Sequence, residues 1–364
     1  MILRYTVGIS DFLDPDSFDD VPSPTFMNDK ASSKNDEGAY WHAERTRNQL
    51  QLVCTSWNLY VRQFEHRFVR MLDIRHEKVD PQALKKAVRV SFSKYKCKCQ
   101  QYCAPPYRFW NFCWETIGRA GDLDILIMDM RKEEYYIYDV IRILSKLQQV
   151  KTFIAPKCTF GRDFSRLLNA LPNIRHVYGK GFRGTLGYGN GAVFGSQTLT
   201  TLSFRIRKDG EYETVQWNLP ALRHLRVKGD DDASRDVKAA ILALLSAVGN
   251  RLLSLHLLLK TDQKETLWAV WDLCPRLKIL RAGVPMDSPP PFFHPLHTLI
   301  VPDISHLEGF MLSPEWPNLR RIVIDRDCGQ IQEGRVFTTI EGRPDVRVED
   351  RRGLAVDGFV SCEA

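Results

Sequence analysis

Long apolar runs are missing from this sequence. The longest uncharged one, Ala239–Val248, falls far short of the roughly 18 residues that cross a bilayer. Met1–Ser10 has neither a basic start nor a long apolar segment, so neither a membrane span nor a secretory leader is expected. Cysteine is sparse as well: nine in 364 residues, an odd number too thinly spread for a disulfide scaffold. No Asn-x-Ser/Thr acceptor occurs. Reduced thiols and a cytoplasmic or nuclear address are the expectation.

Catalytic signatures are also wanting. There is no Gly-x-Ser-x-Gly elbow, no His-Glu-x-x-His pair and no phosphate loop ending in Lys-Ser/Thr. The nine histidines are scattered, with His294 and His297 flanking a proline-rich turn, and no carboxylate pair stands at general acid/base spacing. A non-enzyme without a cofactor is expected. What is present is ordinary globular composition, 44% hydrophobic and 26% charged, with a net charge of +7 unevenly spread. Residues 62–108 hold twelve Lys or Arg against four Asp or Glu, whereas Met1–Asp36 holds seven acids against three bases.

The informative feature is a repeat. An apolar-x-x-apolar-x-apolar phrase returns as Leu123/Leu126/Met128, Val150/Phe153/Ala155, Ile174/Val177/Gly179, Leu199/Leu202/Phe204 and Leu222/Leu225/Val227. It continues as Leu252/Leu255/Leu257, Leu277/Leu280/Ala282, Leu296/Leu299/Val301 and Leu319/Ile322/Ile324. The phrases start 19 to 30 residues apart. Their last two apolar positions are two residues apart, the strand period that puts both side chains on one face. Each repeat is therefore expected to supply one short parallel strand.

Several intervals carry a helical pattern. Val140, Ile143, Leu144 and Leu147 share a face within Asp139–Gln149, and Phe164, Leu167, Leu168 and Leu171 do so before Pro172. Ala233–Val248 is the strongest, with Gly249 as the expected stop, and Thr266–Cys274 is another. Units of this kind bury their apolar faces only against neighbours, which favours an α/β solenoid with a curved parallel sheet and helices on the outer side. The phrase resembles the leucine-rich repeat family over roughly residues 120–345. Val150, Phe153, Ala155, Cys158 and Phe160 fit the longer Leu-x-x-Leu-x-Leu-x-x-Asn/Cys-x-Leu pattern, whose Asn or Cys ordinarily holds the turn after the strand. The other repeats lack that residue, so the resemblance is to an irregular variety.

The N-terminal third differs. Residues 14–38 are rich in turn formers and read as a flexible insertion. Arg45–Phe68 then becomes helically periodic, with Leu50, Val53, Cys54, Trp57, Val61, Phe64 and Phe68 on one face. The run Leu50-Gln51-Leu52-Val53-Cys54-Thr55-Ser56-Trp57 is similar to the closing helix of an F-box, and Ile9–Pro15 resembles that module's earlier helix and turn. The Leu-Pro that opens an F-box is absent, so either the first turn has been lost or the start of the chain is incomplete. The resemblance implies that Phe12, Leu13, Leu50, Val53 and Trp57 form a surface docking a Skp-family adaptor, which connects to a cullin scaffold and a ubiquitin-transfer enzyme. The alternative for Leu50, Val53 and Trp57 is packing against the first repeat. The chain would then be a substrate-recognition subunit acting by proximity, or an interaction scaffold with a degenerate F-box.

Three other motifs compete for attention. Gly179-x-Gly181-x-x-Gly184 matches a dinucleotide fingerprint, but more glycines follow where the helix should start and no acid stands at the ribose position. Cys97, Cys99, Cys103 and Cys113 are four potential zinc ligands whose spacing fits no usual knuckle; buried thiols beside aromatics are the simpler account. Lys94, Lys96, Lys98 and Arg108 interleave with aromatics in a pattern suited to single-stranded nucleic acid. A cap over the open N-terminal end of the solenoid explains those aromatics better, so nucleic acid is disfavoured as a partner.

The expected layout is therefore an F-box-like segment over 1–75, a basic aromatic cap over 76–119, repeats over 120–345 and a tail over 346–364. Between the inward positions, the concave sheet face should present His176, Tyr178, Ser203, Arg205, His224, Arg226, Lys228, Ser254, His256, Arg281, Arg321 and Val323. Tyr178, Arg205, His224, Arg226, Lys228, His256, Arg281 and Arg321 are the expected substrate-binding residues. Their chemistry suits an acidic or phosphorylated protein segment, because the Arg fork accepts paired oxygens.

Overall fold

The computed structural model describes residues 45–46, 48–62, 66–93, 106–129, 137–160, 163–182, 193–206, 216–229, 235–259, 264–283, 290–302, 316–325 and 346–350. The chain forms two compact units, Met1–Lys180 and Gly181–Ala364. No helix among the described residues is long and apolar enough to cross a membrane.

The first unit runs α1 (Thr55–Val61), β1 (Phe68–Arg70), α2 (Met71–Arg75), a 3-10 turn over Pro81–Lys86, β2 (Arg89–Ser93) and α3 (Pro106–Ile117). It continues with β3 (Ile125–Asp129), α4 (Ile137–Leu144), β4 (Thr152–Phe160), α5 (Asp163–Ala170) and β5 (His176–Phe182). The strands lie side by side in sequence order, and β1·β2, β2·β3 and β3·β4 are parallel. Their register aligns Val69, Val90, Leu126 and Phe153, all buried, as one row of the core.

The second unit carries β6 (Val193–Gly195), β7 (Thr201–Ile206), β8 (Gln216–Asn218), β9 (His224–Gly229), α6 (Arg235–Val248) and β10 (Ser254–Leu258). After these come α7 (Lys264–Leu273), β11 (Ile279–Ala282), β12 (Thr298–Val301), β13 (Arg321–Ile324) and β14 (Arg347–Asp350). Its main sheet has the order β7-β9-β10-β11-β12-β13-β14, all parallel, while β6 and β8 form a separate parallel pair. Leu202, Leu225, Leu255, Leu280, Leu299, Ile322 and Val348 are in register and buried. Each such side chain contributes about 1.5–3 kcal/mol on leaving water, yet it does so only because a neighbouring rung covers it.

The backbone shows why the phrase has its form. Its first apolar residue follows a tight turn whose amide bonds three residues back, as in Leu222 to Leu219, Leu252 to Gly249, Leu277 to Cys274 and Leu319 to Trp316. That residue is buried in every one of these repeats. Immediately afterwards two successive N–H groups converge on a single carbonyl of the previous rung. Arg223 and His224 donate to the Thr200 oxygen, Leu253 and Ser254 to Arg223, Lys278 and Ile279 to Leu253, and His297 and Thr298 to Lys278. The same arrangement joins Asp124 and Ile125 to Val88, and Lys151 and Thr152 to Asp124.

The expected helices over the repeats are present, and their predicted apolar faces, Val140/Ile143/Leu144 and Phe164/Leu167/Leu168 among them, are buried. Several boundaries differ. Strands begin well before residue 120: β1 and β2 pair in parallel register with β3, so Arg89–Ser93 is a rung and not part of a cap. Residues 106–117 form α3, the return helix between β2 and β3, where a terminal cap was expected. The repeats also reach beyond 345, because β14 pairs in register with β13 where a tail was expected.

The long helix expected over Arg45–Phe68 is broken: a turn at Leu52–Val53 precedes α1, and Phe68 opens β1. Cys158 lies inside β4 and not in a turn after the strand. Gly179 and Gly181 lie within β5, where a dinucleotide fingerprint needs a tight turn. Gly249 continues into a 3-10 turn over Gly249–Arg251, and its importance is spatial, since a Cβ there would stand 2.5 Å from the Leu273 carbonyl oxygen.

Candidate partner-binding surfaces

Two surfaces hold the predicted site residues. The first is the helical segment of residues 48–61. Val61 is buried and fixes its C-terminal end, while Leu50 and Trp57 are half-buried. Val53 is 60% exposed and Leu52 86% exposed, with Leu59 exposed on α1. Packing against the first repeat, the alternative for Leu50, Val53 and Trp57, therefore does not hold for Val53. Cys54 caps α1 in an extended conformation without a side-chain hydrogen bond, so the turn is set by backbone. Phe12 and Leu13 lie outside the described residues.

The second surface is the sheet face opposite the leucine rows. Tyr178 is half-buried on β5 in the first unit. In the second unit Arg205 stands opposite Lys228, both half-buried. One row across the strands reads Thr201, His224, Ser254, Ile279, Thr298, Arg321, Arg347. The next reads Ser203, Arg226, His256, Arg281, Ile300, Val323, Glu349. Within the second unit, the predicted residues Arg205, His224, Arg226, Lys228, His256, Arg281 and Arg321 share a face. Their exposure, however, departs from expectation: Arg226 is 4%, Arg281 7% and His256 1% exposed, and His224, Ser203 and Ser254 are buried too. Alternation places a side chain on a face but says nothing of what covers it.

The electrostatics follow from that burial. Arg281 pairs with Asp325. Arg321 Nε donates to Glu349 Oε2 at 2.7 Å, and Arg347 Nε stands 2.8 Å from the other oxygen of the same buried carboxylate. Asp325 and Glu349 were not among the predicted residues. Asp325 follows the last apolar position of one phrase, and Glu349 lies inside β14, whose leading anchor in the sequence is Asp345 and not apolar, so the repeat pattern gave them no mark. Burial, above all, pushes the His256 imidazole well below its ordinary value, with the positive charges of Arg281 and Arg226 and then His224 adding to it. His256 is therefore neutral at physiological pH, between two guanidinium groups in register with it. Both its ring nitrogens are without a hydrogen-bond partner among the described residues.

The cysteine and aromatic stretch reads differently. Cys113 on α3 is buried, and burial pushes its thiol far up, out of reach of ordinary titration; Cys97, Cys99 and Cys103 lie outside the described residues. Among the described residues no group of three or more His, Cys, Asp or Glu is placed to hold a metal. Trp114 carries Lys146 Nζ at 3.6 Å and the Arg142 guanidinium carbon at 3.9 Å from its ring centroid, and Lys146 also donates to the Trp114 carbonyl at 3.0 Å. Its ring is engaged by the chain's own cations. Lys94, Lys96 and Lys98 lie outside the described residues.

No family model and no curated protein matches the chain. Among solved structures it is similar to a Bacteroides fragilis protein from a structural genomics programme, at 14% identity over 76% of this chain and 71% of that one, with a TM-score of 0.37. It is also similar to a chain of the TLR13–ssRNA13 complex, at 10% identity over 75% of this chain and 52% of that one, with a TM-score of 0.25. At those TM-scores neither likeness bears on fold or function.

Proposed function

We propose that this protein is a non-catalytic, intracellular substrate-recognition subunit of a Skp/cullin/F-box-type ubiquitin ligase. In this reading a leucine-rich-repeat-like solenoid holds a protein substrate on its sheet face. The helical segment of residues 48–61 docks a Skp-family adaptor. The observation that carries the reading is the exposure of Leu52, Val53 and Leu59 on a segment whose end is anchored by buried Val61. Exposed apolar side chains on an anchored element favour burial against a partner. The resemblance of Leu50–Trp57 to the closing F-box helix supplies the partner's identity.

Co-purification of the full chain with a Skp-family adaptor tests it. The wild type should retain the adaptor through gel filtration, and Val53→Asp should reduce retention at least tenfold. Because Val53 is already exposed, thermal stability should stay within about 0.5 kcal/mol of the wild type. Equal retention by both chains, or none by the wild type, would leave an interaction scaffold as the better reading.

A further inference from the structure

The second unit's sheet face concentrates unusual chemistry at one place. Arg226, His256 and Arg281 occupy directly opposed positions on β9, β10 and β11, so their backbones are separated by about 4.8 Å per strand. Two residues earlier on the strands, Thr201, His224 and Ser254 form the adjoining row. All six are buried. Among the described residues, the Ser254 and Thr201 hydroxyls and both His256 ring nitrogens have no hydrogen-bond partner. A buried polar atom without a partner is costly, and the three such atoms on β10, between Arg226 and Arg281, make a cost that a ligand would offset.

The donors also identify the ligand class. Arg226 and Arg281 bring two planar guanidinium forks to the face, and Arg281 also pairs with Asp325. The Ser254 hydroxyl and the His256 imidazole N–H add neutral donors from β10, between the two arginine-bearing strands and at two levels. A carboxylate offers two oxygens in one plane, whereas a phosphoryl group offers three spread in space. We propose that Arg226, His256 and Arg281, together with the Ser254 hydroxyl, form a seat for a phosphoryl group. This deepens the reading of the sheet as the substrate-binding face, giving it one anchoring point in place of a continuous basic surface. Two sources share the chemistry: a phosphorylated side chain of a protein and a free phosphate compound.

The test uses the full chain and no adaptor, so its outcome is separate from that of adaptor docking. Thermal unfolding is followed while inorganic phosphate is added at constant ionic strength, with potassium chloride as the balance. A saturating rise in Tm is expected with phosphate and none with chloride. Arg226→Met and His256→Leu should weaken that dependence at least tenfold, while Arg347→Gln on the exposed end of the face should leave it unchanged. A serine peptide with and without a phosphoryl group, set against pyrophosphate, assigns the source by whichever binds more tightly. Should either variant fail to fold, the wild type labelled with 15N in its histidines decides: the His256 ring resonances should move on adding phosphate. Resonances that stay put, or a Tm rise that chloride reproduces, would overturn the proposal.

Discussion

His256 is held neutral by burial and by Arg281, Arg226 and His224, and this makes stability depend on pH. In the unfolded chain the same imidazole titrates near 6.5, its ordinary value. The unfolded state therefore takes up a proton first as pH falls. The contribution of His256 is complete above about 6.5 and is lost progressively toward its depressed folded value, at up to about 1.4 kcal/mol per pH unit. His294 and His297 are also held low, each chiefly by burial, and act with the same sign. Denaturant titrations in phosphate-free buffer at pH 7.5 and 5.5 should show a lower midpoint at pH 5.5. His256→Gln should flatten that dependence by up to one proton; an unchanged slope would show that His256 is protonated in the folded chain. That a histidine stands here was legible in the sequence. That it is buried between two arginines was not, because the alternation of a strand fixes the face and leaves the cover unspecified.

At the scale of the element, α2 shows how an end is made without the usual residue. The Lys78 amide reaches back to the Asp73 carbonyl at 2.9 Å and the Glu77 amide to Ile74 at 3.0 Å, the paired bonds of a left-handed helix stop. Glu77 sits at φ 57° to make them, a conformation that disfavours any side chain with a Cβ. Since Glu77 is exposed, Glu77→Gly should stabilise the protein by about 1 kcal/mol, read as a higher denaturant midpoint at unchanged slope. The repeat helices were legible from their apolar spacing, because Val140, Ile143 and Leu144 all face the core. The segment before them was not. Leu50, Val53, Trp57 and Phe68 keep helical phase in the sequence, yet a turn at Leu52–Val53 and a strand starting at Phe68 divide them. Periodicity cannot see a backbone break that conserves phase.

For the molecule as a whole, stability resides in contacts between rungs. Leu255 is buried and lies opposite Leu225 on β9 and Leu280 on β11. Leu255→Ala should cost about 2–5 kcal/mol. Because its partners belong to neighbouring repeats, amide exchange should quicken in β9 and β11 along with β10; acceleration confined to β10 would contradict a shared core. The strand phrase made the repeats from 123 to 324 legible. The two earlier strands escaped because Ala87/Val90/Phe92 carries a small anchor and His66/Val69 a polar one. β14 escaped for a similar reason, since its outer end, Glu349–Asp350, is acidic although buried.

The twin amides that meet one oxygen at the start of rungs such as β9, β10, β11 and β12 have a further consequence. Sliding a strand by one residue would break both bonds at once and turn its leucines outward, so phase is clamped where the chain joins the sheet. Between clamps, the returns are free to lengthen or shorten. Grafted residues should accordingly be tolerated in the loops, whereas a single residue inserted between Leu252 and Leu255 should unseat that rung.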